Sequence, residues 1–482
     1  MMADSGPERR PRAVVVGGGL AGMTAAMGLA DAGVDVTLLE GRPRLGGLAF
    51  SFRRGDLSVD NGQHVYLRCC AAYRWFLDEV GGSGLAPLQE RLDVPVLDAA
   101  APARRGPGPR AGRLGRTDLP APLHLAAGLA RYPHMSLAER ASVGRAALAM
   151  RRLDPADPAL DGVDFASWLH RHGQSPRAVS ALWDMVGVAT LNAFAPEVSL
   201  GLATMVFRTA LLTDRGAADI GWARVPLGQL HDKLPRRRLE RSGARILLRT
   251  RATELRRTPA GGWQVDVATG PGRAGGTAAS LDTDAVVLAV PQREAHGLLP
   301  AGAIDHKDRL LQIGTAPILN LHVVYDRRVL HSPFVAAIGT PVQWIFDRTD
   351  TSGLADTPEG RGCQYLAVSQ SAAQDDIERP VGELRERYLP ELAKLLPDAR
   401  GAGVRDFFVT RERTATFAPA PGVGRLRPGS RTHAPGLALA GAWTATGWPA
   451  TMESAVLSGL AAVRETLGGL GREVPRNLLE AV

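Results

Sequence analysis

Three features of the chain predict an α/β fold built on a Rossmann-like dinucleotide-binding domain. An apolar run ends in a glycine triad, a helical pattern follows, and a second strand closes on an acid at the distance such domains require. Ala13-Val14-Val15-Val16 reads as a buried parallel strand, because β-branched residues run uninterrupted until the glycines. Gly17, Gly19 and Gly22 form G-x-G-x-x-G. The first glycine permits the tight turn, the second lets backbone approach a pyrophosphate, and the third lets helix and strand pack closely. The helix opens at Leu20-Ala21, carries Met23, Ala26, Met27 and Ala30 on one side, and meets its stop at Gly33. Its N-terminus offers free N–H groups and a positive dipole end to phosphate. Val34 to Glu40 is the second strand, and Glu40 lies 40 − 22 = 18 residues after the last glycine. A carboxylate there accepts from ribose hydroxyls and repels a 2′-phosphate, which disfavours NADP.

Composition bounds the rest. The 482 residues correspond to about three domains or two large interleaved ones, at roughly 150 residues each. Hydrophobic residues at 45% and charged ones at 22% exclude disorder, collagen and coiled coil as readings of the whole chain. No apolar run approaches the roughly 18–20 residues of a membrane span, and the opening MMADSGPERRPR lacks the apolar core of a secretory leader. Cys69, Cys70 and Cys363 have neither disulfide nor metal-ligand spacing, so a reducing cytoplasm is expected and no metal is assigned. Net charge is 57 − 49 = +8, almost all from arginine, since Lys233, Lys307 and Lys394 are the only lysines. There is no basic stripe with interleaved aromatics, so nucleic acid is excluded as a partner. A basic face toward anionic lipid is better supported than nucleic acid, and a plain solvated surface is the leading reading of the charge.

Further along, Asp98 to Thr117 lacks periodicity and is expected to be a surface loop. Ser136–Arg152 and Arg177–Leu212 have apolar helical patterns, and Ala244–Leu248 returns to strand. Trp263–Val267 and Ala285–Pro291 are expected to continue one sheet across a Gly/Ala-rich turn. Ile318–Tyr325 and Gln343–Phe346 read as strands, Glu383–Leu396 as a helix stopped by Pro397, and Leu437–Gly441 as a last buried strand. A terminal helix is expected from near Pro449, a residue suited to a first helical position.

The segment Glu40-Gly41-Arg42-Pro43-Arg44-Leu45-Gly46-Gly47 distinguishes FAD from NAD, because a second glycine pair after the acid lets another backbone stretch lie along a longer cofactor. This E-x-R-x-x-x-G-G after G-x-G-x-x-G resembles the flavin-dependent amine oxidase and phytoene desaturase superfamily. Asp60-Asn61-Gly62-Gln63-His64, Leu191-Asn192, Gln343–Arg348, Thr414–Phe417 and above all Leu439–Glu453 are similar to the hydroxysqualene dehydroxylases, also called squalene-associated FAD-dependent desaturases. The resemblance spans Arg12 to about Leu467.

The resemblance implies an amine oxidase-like fold in which the FAD-binding domain (11–90, 226–300 and 430–470) interleaves with a substrate-binding α+β domain (91–225 and 301–429). Residues 1–10 and 471–482 are expected to be flexible tails. It implies FAD contacts at Gly17, Gly19, Leu20, Ala21, Gly22, Glu40, Arg42, Gly46 and Gly47. Further contacts fall at Ala252, Gly441, Ala442, Ala450, Thr451 and Met452. The family reaction removes the hydroxyl of hydroxysqualene, with hydride from reduced flavin, to give squalene and water. Ala442 and Ala445 stand where relatives commonly carry acids, and Leu48 where many carry arginine.

Cleaving an allylic C–O bond calls for a proton donor, worth on the order of 3–5 kcal/mol. His64 and Asp60 are the candidates, with Asp60 orienting His64 or donating itself. Trp443, Trp448, Trp344 and Phe417 are available to stabilise an allylic cation, and the apolar stretch Ala181–Leu212 reads as tunnel lining or as helical core. Other readings are a polyprene desaturase, a prenyl-lipid binding protein with structural flavin and, more weakly, an amine oxidase, which would want a lysine on Ala316–Val323 where none lies. No second nucleotide fingerprint marks the electron donor, which is left open with NAD(P)H as one source. The expected location is cytoplasmic, peripheral at the inner face of the membrane.

Overall fold

The computed structural model describes residues 9–103, 108–270 and 278–479. Its centre is a five-stranded parallel sheet in the order Leu437–Leu439, Ala285–Leu288, Arg12–Val16, Asp35–Glu40, Arg245–Leu248. These strands are apolar on both faces because both faces are covered. On one face lie the helices Leu20–Asp31 and Met452–Gly469. They pack at close range through small residues: a Cβ on Gly459 would stand 2.4 Å from the Ala21 carbonyl oxygen, and one on Gly28 would stand 2.9 Å from Val463. The other face meets an antiparallel sheet of Thr250–Arg257, Trp263–Thr269 and Ala278–Thr283.

That second sheet corrects one expectation. Trp263–Thr269 and Ala285–Leu288 belong to different sheets, because Ala278–Thr283 intervenes and pairs back onto Trp263–Thr269. The Gly/Ala-rich turn expected between them falls mostly on residues 271–277, outside the described residues.

A seven-stranded mixed sheet forms the rest, ordered Val404–Phe417, Thr315–Tyr325, Gln364–Ser371, Trp344–Asp347, Phe334–Ile338, Asp93–Pro102, Pro109–Gly115. Its strands come from residues 93–115 and 315–417, whereas those of the parallel sheet come from 12–40, 245–288 and 437–439. The expected surface loop at Asp98–Thr117 is instead an edge hairpin with Asp93 opposite Gly115 and Asp98 opposite Arg110. Val94, Val96 and Asp98 are buried on alternate positions, but Leu97 and Ala99 on the opposite face pack against a second core cluster, so apolar residues fall on both faces and the period is hidden from sequence reading.

The helical stretch Arg177–Leu212 is also not one helix. It breaks at Asn192, which sits in the left-handed region at φ 58°, and resumes as Leu200–Phe207 after Pro196. The terminal helix begins at Met452 rather than Pro449, capped by Thr451, whose hydroxyl accepts from Ser454 N at 3.1 Å. Residues 471–479 are not simply a tail, and 480–482 lie outside the described residues. Arg476–Leu479 forms a short helix whose Leu478 is buried close to Gly28. At the other end Arg9 pairs with Asp284 at 2.7 Å, and residues 1–8 lie outside the described residues.

Candidate active site

The glycine triad is built as the sequence requires. Gly17 has φ +111°, and a Cβ there would fall 2.3 Å from the Ala289 carbonyl oxygen. A Cβ on Gly22 would fall 1.8 Å from that of Gly17. Gly19 is different. A Cβ there would meet only the Gly47 Cα, at 3.7 Å, so the missing side chain leaves room above the helix start. The N–H groups of Leu20, Ala21 and Gly22 have no intrahelical acceptor there. Gly18, which sequence reading passed over, is equally constrained: a Cβ would meet Leu45 at 2.6 Å and Glu40 at 3.0 Å.

Glu40 is buried at the end of its strand. Its carboxylate accepts from Gly18 N (2.8 Å) and Arg42 N (2.7 Å), which fixes it against the glycine turn. Each oxygen keeps a lone pair for a ribose hydroxyl. The Arg42 side chain is exposed, and it is the backbone N–H that engages Glu40. Gly46 and Gly47 both have positive φ (97° and 55°), and Gly46 N donates to Gly18 O at 2.9 Å, which brings the two glycine stretches together. Arg44 wraps this turn, donating to the Leu45 and Gly47 carbonyls at 3.2 Å and lying 3.3 Å over the Phe50 ring. Burial, then the neighbouring Arg42, lowers its pKa to about 10, so it stays cationic near neutrality. Ala252 is buried on the strand opposite Val267, and the adjacent Arg251 comes within 3.7 Å of a Cβ built on Gly41. This open glycine face, charged rim and helix start suit a dinucleotide pyrophosphate and ribose.

The closing loop lies at the end of the neighbouring strand Leu437–Leu439. Gly441 has φ +140° and donates to Ser458 Oγ at 2.8 Å, and Trp443 Nε1 donates to the Val290 carbonyl at 2.9 Å. Beneath the loop is Arg427, 7% exposed, with no carboxylate within ion-pair distance among the described residues. It donates instead to the carbonyls of Ala442, Trp443, Thr444 and Trp448 and to Thr446 Oγ1. Burial lowers its pKa to about 10. Gly459 touches the first helix near Ala21, and Met452 lies seven residues earlier. The terminal helix thus begins about 10 Å along its own axis from that contact. Ala450, Thr451 and Met452 form that beginning.

Asp60 and His64 emerge with different surroundings. Asp60 is buried and fully engaged: Oδ2 meets Arg348 Nη2 at 2.6 Å, and Oδ1 accepts from Ser51 Oγ (2.6 Å) and Leu227 N (3.0 Å). Arg348 also donates to the Ala223 carbonyl at 3.2 Å. Asp60 makes no hydrogen bond to His64; its three partners hold it in an ion pair and an inter-segment lock. Asp60 still acts on His64 through space.

His64 is half-buried, with Nδ1 3.2 Å from the Gly62 carbonyl. Burial lowers its pKa, opposed by the Gly62 carbonyl and by the carboxylates of Asp60 and Glu412, so the imidazole is neutral at pH 7. Glu412, which the sequence reading missed, accepts from Asn61 Nδ2 at 3.0 Å. Asn61 Nδ2 also donates to the Leu48 carbonyl at 2.8 Å, and Asn61 Oδ1 accepts from Phe50 N at 3.0 Å. The Asn61 carbonyl accepts from Asn320 Nδ2 (3.1 Å) and Thr410 Oγ1 (2.8 Å). Asn320 occupies the strand on which an amine oxidase lysine was looked for.

His322 and His231 are structural. His322 bonds Tyr365 OH and Thr410 and stacks on Phe408, whereas His231 bonds Tyr73 OH. Burial lowers both to about 3. The aromatic candidates are partly committed elsewhere. Arg427 lies 4.5 Å over Phe417, and Trp344 stacks on Phe346 with centroids 6.2 Å apart. Trp183, Met185, Leu191 and Phe207 are buried in the main core.

A profile of the flavin containing amine oxidoreductases matches residues 20–467. The chain belongs to this family. This amine oxidoreductase family member is an oxidoreductase whose cofactor is FAD, and the residues described above are those available to hold it. It is 29% identical over 464 residues to a hydroxysqualene dehydroxylase of Rhodopseudomonas palustris, covering 92% of this chain and 96% of that one. It is 28% identical to the same enzyme of Sinorhizobium fredii over 92% of this chain and 95% of that one. A 15-cis-phytoene desaturase of Narcissus pseudonarcissus is 26% identical over 94% of this chain and 79% of its own. Among solved structures, cyclohexylamine oxidase of Brevibacterium oxydans superposes with a TM-score of 0.68 at 18% identity, covering 96% of this chain and all of that one. That likeness establishes the fold. No helix among the described residues is long and apolar enough to cross a membrane.

Proposed function

We propose that this family member reduces an allylic C30 alcohol, hydroxysqualene, to squalene. The observation that carries the reading is the near full-length similarity to two hydroxysqualene dehydroxylases. Reduced FAD supplies the hydride, so that alcohol, hydride and one proton give hydrocarbon and water. The remaining tasks fall to the protein. The departing oxygen needs a proton, and His64 is the group placed to manage it: with Nδ1–H donated to Gly62, Nε2 is the nitrogen that takes up a proton in the imidazolium and passes it to a substrate hydroxyl. The carboxylates of Glu412 and Asp60 favour the imidazolium against the cost of burial. Asp60 acts here as a positioning residue, its bonds to Arg348, Ser51 and Leu227 fixing the start of the Asn61–His64 segment.

The substrate is apolar, and a peripheral position on the inner face of a membrane, with a transient NAD(P)H-linked or free-flavin donor, belongs to the same reading. The carotenoid desaturases among the relatives favour a second one, oxidation of a polyprene, with hydride flowing to FAD instead. Anaerobic incubation of photoreduced protein with hydroxysqualene, followed by mass analysis, separates the two. Squalene appearing as flavin re-oxidises is expected, whereas unchanged hydroxysqualene together with phytoene-dependent bleaching of oxidised flavin would replace the first reading by the second.

A further inference from the structure

The most solvent-exposed large apolar side chains cluster in one stretch of chain. Among the described residues the five highest are Leu137 (77%), Leu123 (58%), Leu479 (53%), Leu148 (52%) and Leu119 (51%), and four of these lie between positions 119 and 148. Leu137 and Leu148 stand on the helix Leu137–Met150. Eleven residues at about 100° each bring them within roughly 20° of one another around the axis. Ala141 and Arg145 are exposed on the same face, and Ser142, Val143, Ala146 and Met150 on the other are buried. A helix on a protein surface ordinarily turns polar groups outward. This one turns leucines outward.

Basic side chains predominate within positions 119–152, with the exposed Asp154 and Asp157 following directly. Between positions 119 and 152 the chain holds Arg131, Arg140, Arg145, Arg151 and Arg152 against Glu139 alone, or 5 − 1 = +4. Glu139 is held in the capping box with Ser136 and accepts from Ser175 Oγ. Asp118, at the edge of the segment, is paired with Arg91 (2.7 Å) and Arg116 (3.2 Å). A second copy of the chain seated symmetrically on this face would set like charges against each other. A bilayer with anionic headgroups satisfies both the leucines and the arginines.

We propose that this segment is a lipid-docking face, with Leu119, Leu123, Leu137 and Leu148 entering the interfacial layer of an anionic membrane and Arg145 and Arg152 meeting its headgroups. Its biological purpose rests on the isoprenoid reading above, because a C30 alcohol partitions into bilayers, but its test does not. Flotation of FAD-loaded protein with phosphatidylcholine vesicles, with and without phosphatidylglycerol, measures it. Binding to the anionic vesicles is expected. The Leu137→Ser/Leu148→Ser pair is expected to weaken it about tenfold, and Arg145→Gln/Arg152→Gln to weaken it by about an order of magnitude on anionic vesicles alone. Both variants should keep the parent circular dichroism and flavin content, and their turnover of detergent-dispersed substrate. Absence of binding, or equal binding by the leucine variant, overturns the proposal. So does a concentration-dependent dimer that the leucine substitutions dissolve, since the face would then belong to a second copy. If vesicle binding follows the leucines while no dehydroxylation occurs, the docking face stands and the proposed reaction falls.

Discussion

Replacing Asp60 by asparagine distinguishes a structural from a chemical role for this carboxylate. Asp60 and Arg348 are 5% and 7% exposed and meet at 2.6 Å, with Ser51 and Leu227 completing the carboxylate's shell. The amide is nearly isosteric, but it removes the charge that balances a buried guanidinium and turns a donor toward a donor. Breaking a buried pair from one side costs about 3–5 kcal/mol, a large share of the roughly 5–15 kcal/mol that holds a typical domain together. Arg348→Met should cost about 3 kcal/mol, somewhat less because Asp60 keeps its other two donors. The double variant should lose about 2 kcal/mol less than the sum of the singles, since neither charge is then stranded. Denaturant unfolding followed by tryptophan fluorescence, run on parent, both singles and the double, measures all four corners. An Asp60→Asn protein with parental stability and turnover reduced more than about 100-fold would refute this reasoning and restore Asp60 as the proton donor.

Three further outcomes are expected. Arg427→Ala strands four backbone carbonyls of the loop that leads into the terminal helix. It should weaken FAD binding by roughly 100-fold, about 3 kcal/mol, with partial recovery in Arg427→Lys; flavin titration of the apoprotein reads both, and parental affinity in the alanine variant would contradict the assignment. His231 and His322 are held near pKa 3 by burial, below the ordinary 6.5. The unfolded chain therefore binds more protons below pH 6.5, and stability falls with pH down to about 3. Between pH 6.5 and 5 the two sites together should cost about 3 kcal/mol, and a His322→Gln variant should show a visibly shallower decline in unfolding free energy. His64→Gln should lower turnover about 10²–10⁴-fold with near-parental stability, and Glu412→Gln should shift the alkaline limb of the rate–pH profile, where the imidazolium donor is lost, toward lower pH, because a carboxylate that favours the imidazolium is gone. A profile unmoved by Glu412→Gln would separate Glu412 from the proton path.

Local order made much of this chain readable in advance. The run from Arg12 to Gly47 contains strand, glycine turn, helix, strand and second glycine pair consecutively, and Gly17, Gly22, Gly46 and Gly47 are required by backbone atoms within the same unit or next to it. The edge hairpin at Asp93–Gly115 was not readable, because Leu97 and Ala99 pack on the face opposite Val94 and Val96 and erase the period. Nor was the break at Asn192, whose side chain secures the left-handed turn only through Ala316, Thr416 and Ala372, all more than 100 positions away.

The sequence by itself determined the nucleotide-binding unit, the FAD family and the closing loop, since those signals are written in neighbouring residues and in fixed spacings. Only the tertiary structure decided which polar groups are available for chemistry. Asp60 meets an arginine 288 positions away, Asn61 meets a glutamate 351 positions away, and Arg427 spends its charge on carbonyls rather than on an acid. Partner choice of that kind depends on which groups share a buried volume, where an unmatched charge or lone pair is expensive, and no spacing along a chain records it.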